Sequence, residues 1–439
     1  MTSSSDQIVI IGGGFSGAMA AARLAERGVA STLIDAGGDF GLGVAYSTPF
    51  DGHLLNVRSN RMSAVEGRPG DFVDWLGRHH PDHADPEGFA PRRLYGLYVQ
   101  DRLGTVEAEH PGRITRVQGR ARAIEGTTVL LDDGRRISGR AIVLATGNPA
   151  PRTASADNRR IIADPWAPGA LDGIGGDDRI AIIGTGLTMV DMAVWLQARG
   201  WRGPLFALSR RGLGPRAHHD HPEAPLPVSP QLADGPASAR LSAARRRAQG
   251  GQWRALMEGL RPVTGDLWRA ADAATRARWV RHLRPFWDVH RHRIAPAIAA
   301  EIEALTDAGR RTVVAGRVVG VAATDDTVTL CYRPKGTMDA ETREADWLID
   351  CTGPGHDPAR DPLTGPLIST GRARLDPLRL GLELDDSGRV LTAEGKPDPT
   401  LMVLGPPARA TFWETVAVPD IRQRIEVLAG TLADQGVTA

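Results

Sequence analysis

Lysine is almost missing from this chain: of 53 basic residues only Lys335 and Lys396 are lysines, and the rest are arginine. Against 52 acidic residues the formal charge is +1, too small for the field with which a nucleic-acid or anionic-membrane binder gathers its partner. The arginine excess therefore reads as compositional bias. Cysteine is scarce as well. Cys331 and Cys351 show no CxxC spacing, which excludes a disulfide-stapled secreted scaffold and a dithiol redox centre and fits a reducing cytoplasm. No apolar run approaches the roughly 18 residues that span a bilayer, and the opening MTSSSDQ carries no basic n-region. The expectation is a soluble, unprocessed, cytoplasmic protein. His218, His219 and His221 lie close together but lack cysteine partners or an HExxH frame, so no metal is expected.

What the sequence does contain is glycine at meaningful positions. Residues 7–11, QIVII, form a short β-branched run, followed at once by GGGFSG and the helix-compatible FSGAMAAARLAER; STLID at 31–35 is a second strand. Gly12, Gly14 and Gly17 satisfy GxGxxG. The first glycine permits the tight turn, the second a close approach of pyrophosphate, and the third the packing of helix on strand. Asp35 stands 18 residues beyond Gly17, at the end of the second strand, where a carboxylate accepts from a ribose hydroxyl.

The pattern recurs once. RIAIIGTG at 179–186 is again strand into glycine turn, LTMVDMAVWLQARG reads as a helix, and PLFALSRRG is the next strand. Gly184 and Gly186 match the first two glycines, with Val190 and Asp191 near where a third would stand. Ser209, Arg210 and Arg211 replace the acid, and arginine binds a 2′-phosphate that a carboxylate repels. This points to NADPH in preference to NADH. LATGNP in the first half answers DCTGPG in the second, while residues from about 238 to 308 read as a helical insertion. The fold expected is α/β, with two Rossmann-like dinucleotide-binding domains and that insertion.

The chain resembles the two-dinucleotide-binding-domain flavoproteins, of glutathione-reductase-like architecture. More closely it resembles a bacterial FAD/NAD(P)-binding family related to flavin-dependent N-hydroxylases and other monooxygenases. The resemblance is carried by GGGFSG, GVAYSTPFDGHLLNVRSNRMSA, FAPRRLYGLYV, ATGNPAP, ADPWAPGAL, IGTGLTMVD, WDVHRHRIAP, CTGPG and LGPPARATFWETVAVPDIR. It departs from better-known flavin monooxygenases in lacking FxGxxxHxxx(Y/W) before the second glycine turn. Leu404-Gly405-Pro406 also stands where many relatives have Gly-Asp. The resemblance implies an FAD domain in two parts, 1–150 and 356–439, with an NADPH domain at 151–355 between them. It implies FAD contacts from Phe15, Ser16, Asn56, Met62, Ala145-Thr146-Gly147, Gly405 and Trp413, and NADPH contacts from Leu187 and Thr188 besides the residues already named.

If FAD is held, the flavin carries the chemistry: hydride from NADPH, then reaction with O2 at C4a. His53 and Asn56, in the loop after the first unit, are the candidate catalytic residues, His53 as proton carrier and Asn56 as hydrogen-bond donor to the oxygen adduct. Trp279, Trp287, His290 and His292 read either as core or as the lining of a substrate cavity. The leading expectation is a monooxygenase hydroxylating a small polar molecule, nitrogen compounds included. A flavin reductase or dehydrogenase without oxygen insertion and a non-enzymatic FAD-binding redox sensor stay open. Nothing in the sequence fixes the oligomeric state.

Overall fold

The computed structural model describes residues 6–148, 158–229, 232, 236–353 and 357–435. The two expected domain boundaries, at 150/151 and 355/356, lie outside them. Strands β1 (Ile8–Ile11), β2 (Ser31–Asp35) and β3 (Ile114–Gln118) are followed by β4 (Ala121–Glu125), β5 (Thr128–Leu131), β6 (Arg136–Ser138) and β7 (Ala141–Leu144). The second half supplies β8 (Ile161–Ile162), β9 (Ile180–Ile183), β10 (Leu205–Ser209), β11 (Arg311–Ala323), β12 (Val328–Pro334), β13 (Glu341–Ala345) and β14 (Trp347–Asp350). The chain then returns to the first sheet with β15 (Arg389–Leu391) and β16 (Pro397–Val403).

Two sheets result, in the orders β15-β16-β7-β1-β2-β3 and β13-β12-β11-β10-β9-β14-β8, with a small antiparallel sheet β4-β5-β6 beside the first. In both, the central strand pairs in parallel with its sequence neighbour on one side and with a later strand on the other: β1 with β2 and β7, β9 with β10 and β14. That reversal of strand order is where open α/β sheets bind ligands, at the carboxyl ends of the strands. Strand β1 is buried along its whole length, as a strand covered on both faces must be, which explains its unbroken run of isoleucine and valine.

Helix α1 (Phe15–Glu26) follows β1 and packs on the first sheet with α2 (Arg92–Glu109). Its alanines at 18, 20, 21, 22 and 25 are buried; side chains this small let the helix lie close to the sheet. In the second unit α3 (Leu187–Ala198) follows β9. Both helices have 12 residues and both stop in the same way. Gly28 (φ +77) and Gly200 (φ +86) adopt the left-handed conformation. Val29 N–H bonds to Leu24 O at 2.9 Å, and Trp201 N–H to Leu196 O at 3.0 Å, closing a Schellman motif in each.

Between β10 and β11 lies the helical insertion, including α4 (Ala237–Arg247), α5 (Trp253–Leu260) and α6 (Arg284–Arg291), which leads into α7 (Pro296–Asp307) on the second sheet. A terminal helix α8 (Val418–Asp434) covers the first sheet beside α1. Among the described residues no helix is long and apolar enough to cross a membrane.

Candidate functional site

The two glycine turns are built alike. Gly12 has φ +107, and a Cβ there would lie 2.3 Å from Ala145 O; Gly184 has φ +110, and a Cβ there would lie 2.2 Å from Cys351 O. In each case the first glycine sits against the carbonyl that ends the neighbouring crossover strand, a place and a φ that only glycine tolerates. This pairs the ATG at 145–147 with the CTG at 351–353. Gly14 and Gly186 are the N-caps of α1 and α3, both extended, and neither helix has a side-chain cap. The first-turn amides are thus left for an outside acceptor.

The units differ where the ligands would differ. Gly17 is closed in, since a Cβ there would lie 1.9 Å from Gly12 O. Counting from Gly184, the matching residue is Met189, fully buried, and not the Val190-Asp191 pair expected. Asp35 accepts from the amides of Gly13 (2.8 Å), Gly37 (2.9 Å) and Gly38 (3.0 Å), which pins the carboxylate at the end of β2. By strand register Ser209 is its counterpart. Ser209 Oγ accepts from Gly212 N–H (3.0 Å) and bonds with Thr185 Oγ1 (2.8 Å), which donates to Leu213 O, so the second turn keeps a polar brace with no negative charge. Arg210 is exposed, without a hydrogen bond or ion pair among the described residues. Arg211, in contrast, donates to Arg281 O (3.2 Å) and lies over the Phe286 ring. The expected arginine pair therefore separates, with one side chain open and one laid on the insertion.

Around the first turn, Ser16 and Gly405 meet: Gly405 has φ +77, and a Cβ there would lie 2.7 Å from Ser16 Oγ. Thr146 and Gly147 lie at the carboxyl end of β7, Thr146 exposed. Leu187 and Thr188 open α3 and are half-buried. Two expected contacts point elsewhere. The Phe15 ring packs on Tyr46 and Tyr95, leaving only its backbone N–H for a ligand, and Met62 is core, 3% exposed.

His53 departs from the proton-carrier role. It is 1% exposed, Nδ1 bonds with Thr48 Oγ1 (2.6 Å), and Nε2 bonds with Asp191 O (3.1 Å). Rings of Phe50, Trp166 and Trp195 surround it. Burial pulls its pKa down against the opposing Asp191 carboxylate, so the ring is a neutral strut with both nitrogens committed. Next to it Arg92 grips Asp191 through two bonds of 2.9 and 3.0 Å, both side chains 11% exposed. This clasp fastens α2 of the first unit to α3 of the second. Sequence reading missed it because Arg92 and Asp191 are 99 residues apart.

Asn56 keeps a half-buried side chain, and its backbone O accepts from His218 Nε2 (3.0 Å). It borders a cavity of about 110 Å³ whose wall includes Arg58, Arg61, Arg254, Arg261, Arg291 and Arg293. His219 pairs with Glu223 (3.1 Å), so these histidines do not converge, and among the described residues no cluster of His, Cys, Asp or Glu is arranged to hold a metal ion. Cys351 is buried, and burial raises its thiol pKa far above the reactive range.

A second cavity, about 570 Å³, lies on the other side of α5 and α6, inside the insertion. Trp253, Leu256, Met257 and Leu260 of α5 line it, while Arg254 and Glu258 of the same helix, and Arg261 just past its end, face the arginine cavity. Trp279, Trp287 and His290 line it too, which resolves the choice between core and cavity wall left open for them. His292 is not in that lining. Trp413 reaches the cavity from the first unit and stacks on Trp268, ring centroids 4.4 Å apart.

Residues 9–149 match a family model described as FAD-NAD(P)-binding. No curated protein sequence matches the chain. Among solved structures, the ornithine N-hydroxylase of Kutzneria sp. 744, in its FADred-NADP+-L-orn complex, is 15% identical with a TM-score of 0.68, covering 98% of this chain and 99% of that one. The L-lysine 6-monooxygenase of Pseudomonas syringae is 16% identical with a TM-score of 0.68, covering 98% and 100%. A thioredoxin reductase of T. acidophilum is 11% identical with a TM-score of 0.57, covering 99% and 100%. The chain thus has, along nearly its full length, the two-Rossmann-domain fold shared by flavoprotein monooxygenases and thioredoxin reductases.

Proposed function

We propose that the chain is an NADPH-dependent FAD monooxygenase. The observation that carries the reading is the pair of glycine turns, alike in backbone and unlike in the chemistry at their second strands, a fixed carboxylate at Asp35 and an uncharged Ser209 beside an open Arg210. One turn suits the ribose of FAD and the other the 2′-phosphate of NADPH. The fit rests on the closed glycine positions at 12, 17 and 405, and on the uncapped amides of α1.

When bound, FAD supplies hydride acceptance from NADPH and activation of dioxygen. The amides of Phe15, Ser16 and Gly17 would hold its pyrophosphate and Asp35 its ribose. Arg210 would hold the coenzyme phosphate, and the His53–Asp191–Arg92 clasp would keep the two units in register. The overall reaction is substrate, O2, NADPH and a proton giving hydroxylated substrate, water and NADP+. The monooxygenase from Pseudomonas syringae and the Kutzneria hydroxylase act on lysine and ornithine, which supports oxygen transfer to a small molecule and makes amines one of the substrate classes to test. Oxygen insertion is favoured over a reductase role because the two cysteines are both free, on β12 and just past β14, leaving no dithiol to relay electrons to a disulfide acceptor.

Anaerobic mixing with NADPH, followed by oxygen, tests the reading. NADPH is expected to bleach the flavin faster than NADH, and reoxidation with substrate is expected to yield product in step with NADPH consumed. A protein that binds no flavin overturns the proposal, and one that only makes hydrogen peroxide with every amine and apolar acid offered leaves the reductase role.

A further inference from the structure

The cavity inside the insertion has the size of a small-molecule site, and its chemistry is one-sided. At about 570 Å³ it falls within the range of ligand pockets. Its walls are aromatic and aliphatic, and among the described residues its ionisable lining residues are arginines and histidines, with no carboxylate; Arg245 and His282 are among them, as is Arg284, which is paired with Asp288 at 3.2 Å. A ligand ammonium would find no counter-ion among the described lining residues, whereas an apolar body ending in an acid or a neutral polar group is matched in both parts.

The joint between this cavity and the first unit is unusual. Trp413 has φ +59 and ψ −61, and Glu414 N–H bonds back to Phe412 O at 2.7 Å, making a γ-turn of the uncommon positive-φ form. A non-glycine residue in such a conformation is strained by about 1–3 kcal/mol and persists where its surroundings require it. Here the turn sends two consecutive side chains to different partners. The Trp413 indole stacks on Trp268, whose Nε1–H bonds to Ala410 O at 2.8 Å. Glu414 accepts from Trp287 Nε1 at 3.3 Å and pairs with Arg291 at 3.2 Å. Trp413 is thus at once part of the cavity wall and part of the segment that follows Gly405 at the first glycine turn.

We infer that this cavity is the substrate site and that the substrate has an aromatic or aliphatic body with an acidic or neutral polar end. The inference rests on the monooxygenase reading for its chemistry and on the cavity alone for its binding. Purified holoprotein is titrated with 1-anilinonaphthalene-8-sulfonate, an aromatic anion, with decanoate and cadaverine as competitors. One equivalent is expected to bind per chain and to be displaced by decanoate but not by cadaverine. Ala244→Trp, which fills the cavity, should weaken binding by about tenfold or more, and Arg245→Glu, an exposed change that spares the fold, by about threefold to tenfold. Retained flavin absorbance shows that each variant is folded. Flavin retained with no probe binding, or with binding untouched by both variants, overturns the inference while leaving the monooxygenase reading standing. Probe binding in a protein that holds no flavin leaves the cavity and removes the reaction. Displacement by cadaverine, or a change of sedimenting mass in Ala244→Trp that marks the cavity as a contact between copies of the chain, overturns it as well.

Discussion

Ser209→Asp asks whether one position sets the coenzyme. Strand register makes Ser209 the counterpart of Asp35, so the substitution writes the chemistry of the first turn into the second. The fold should accept it, because the position is half-buried and an aspartate can keep the bond that Ser209 Oγ accepts from Gly212 N–H. A carboxylate about 5 Å from a phosphate of charge about −2, at an effective dielectric of about 40, repels it by about 3 kcal/mol. Exposure at the neighbouring Arg210 and screening by salt reduce this to about 1.5–3 kcal/mol, or roughly 10- to 150-fold. The assay is the anaerobic rate of flavin reduction against NADPH and NADH concentration. The ratio of kcat/KM for NADPH over NADH should fall by that factor, and Arg210→Ala should lower it in the same direction by less. An unchanged ratio in both variants, with flavin content intact, would place the adenosine end of the coenzyme somewhere other than the end of β10 and sink the argument.

Gly17→Ala should yield protein depleted of flavin and less stable by about 2 kcal/mol or more in thermal denaturation, since its Cβ meets Gly12 O. Gly77→Ala, in the open helix Asp71–His79, is the control and should be neutral or stabilising by about 0.5–1 kcal/mol. Asp191→Ala leaves Arg92 buried without its partner and should cost about 3–5 kcal/mol by chemical denaturation; a loss below about 1 kcal/mol would show that the clasp carries no load between the units. Burial, with Arg293 and Arg58 nearby, pushes His218 down to about 4. The unfolded chain therefore takes up this proton first, and stability, complete above about pH 6.5, should fall by up to about 3 kcal/mol as pH drops toward 4. His292, lowered to about 3 by burial and neighbouring arginines, acts in the same direction. In His218→Gln, pH-dependent denaturation between pH 4 and 6.5 should flatten accordingly.

Sequence reading reached the parts of this molecule that are decided within a few residues. IVII followed by GGGFSG, and IAII followed by GTGLTM, gave both strand-turn-helix units, because a first glycine pressed against a crossover carbonyl leaves no other residue possible. The rhyme of LATG with DCTG marked the two crossover strands for the same reason. Reading was less successful with side chains whose partners are remote. His53 reads as a chemical group from the sequence because a histidine in a polar loop gives no sign that Asp191, 138 residues on, accepts from its ring. Arg210 and Arg211 read alike, yet only contact with the insertion separates them.

The sequence by itself determined the two glycine turns, their different polarity and the helical character of the insertion, since backbone φ, hydrogen-bonding periodicity and terminal charge are local properties. Tertiary structure alone decided which face of α5 would be wet with arginine and which would line an apolar cavity, and where Trp413 would stack. Those outcomes depend on which surfaces meet across the insertion and the two sheets, and packing between distant segments leaves no periodic trace in either one.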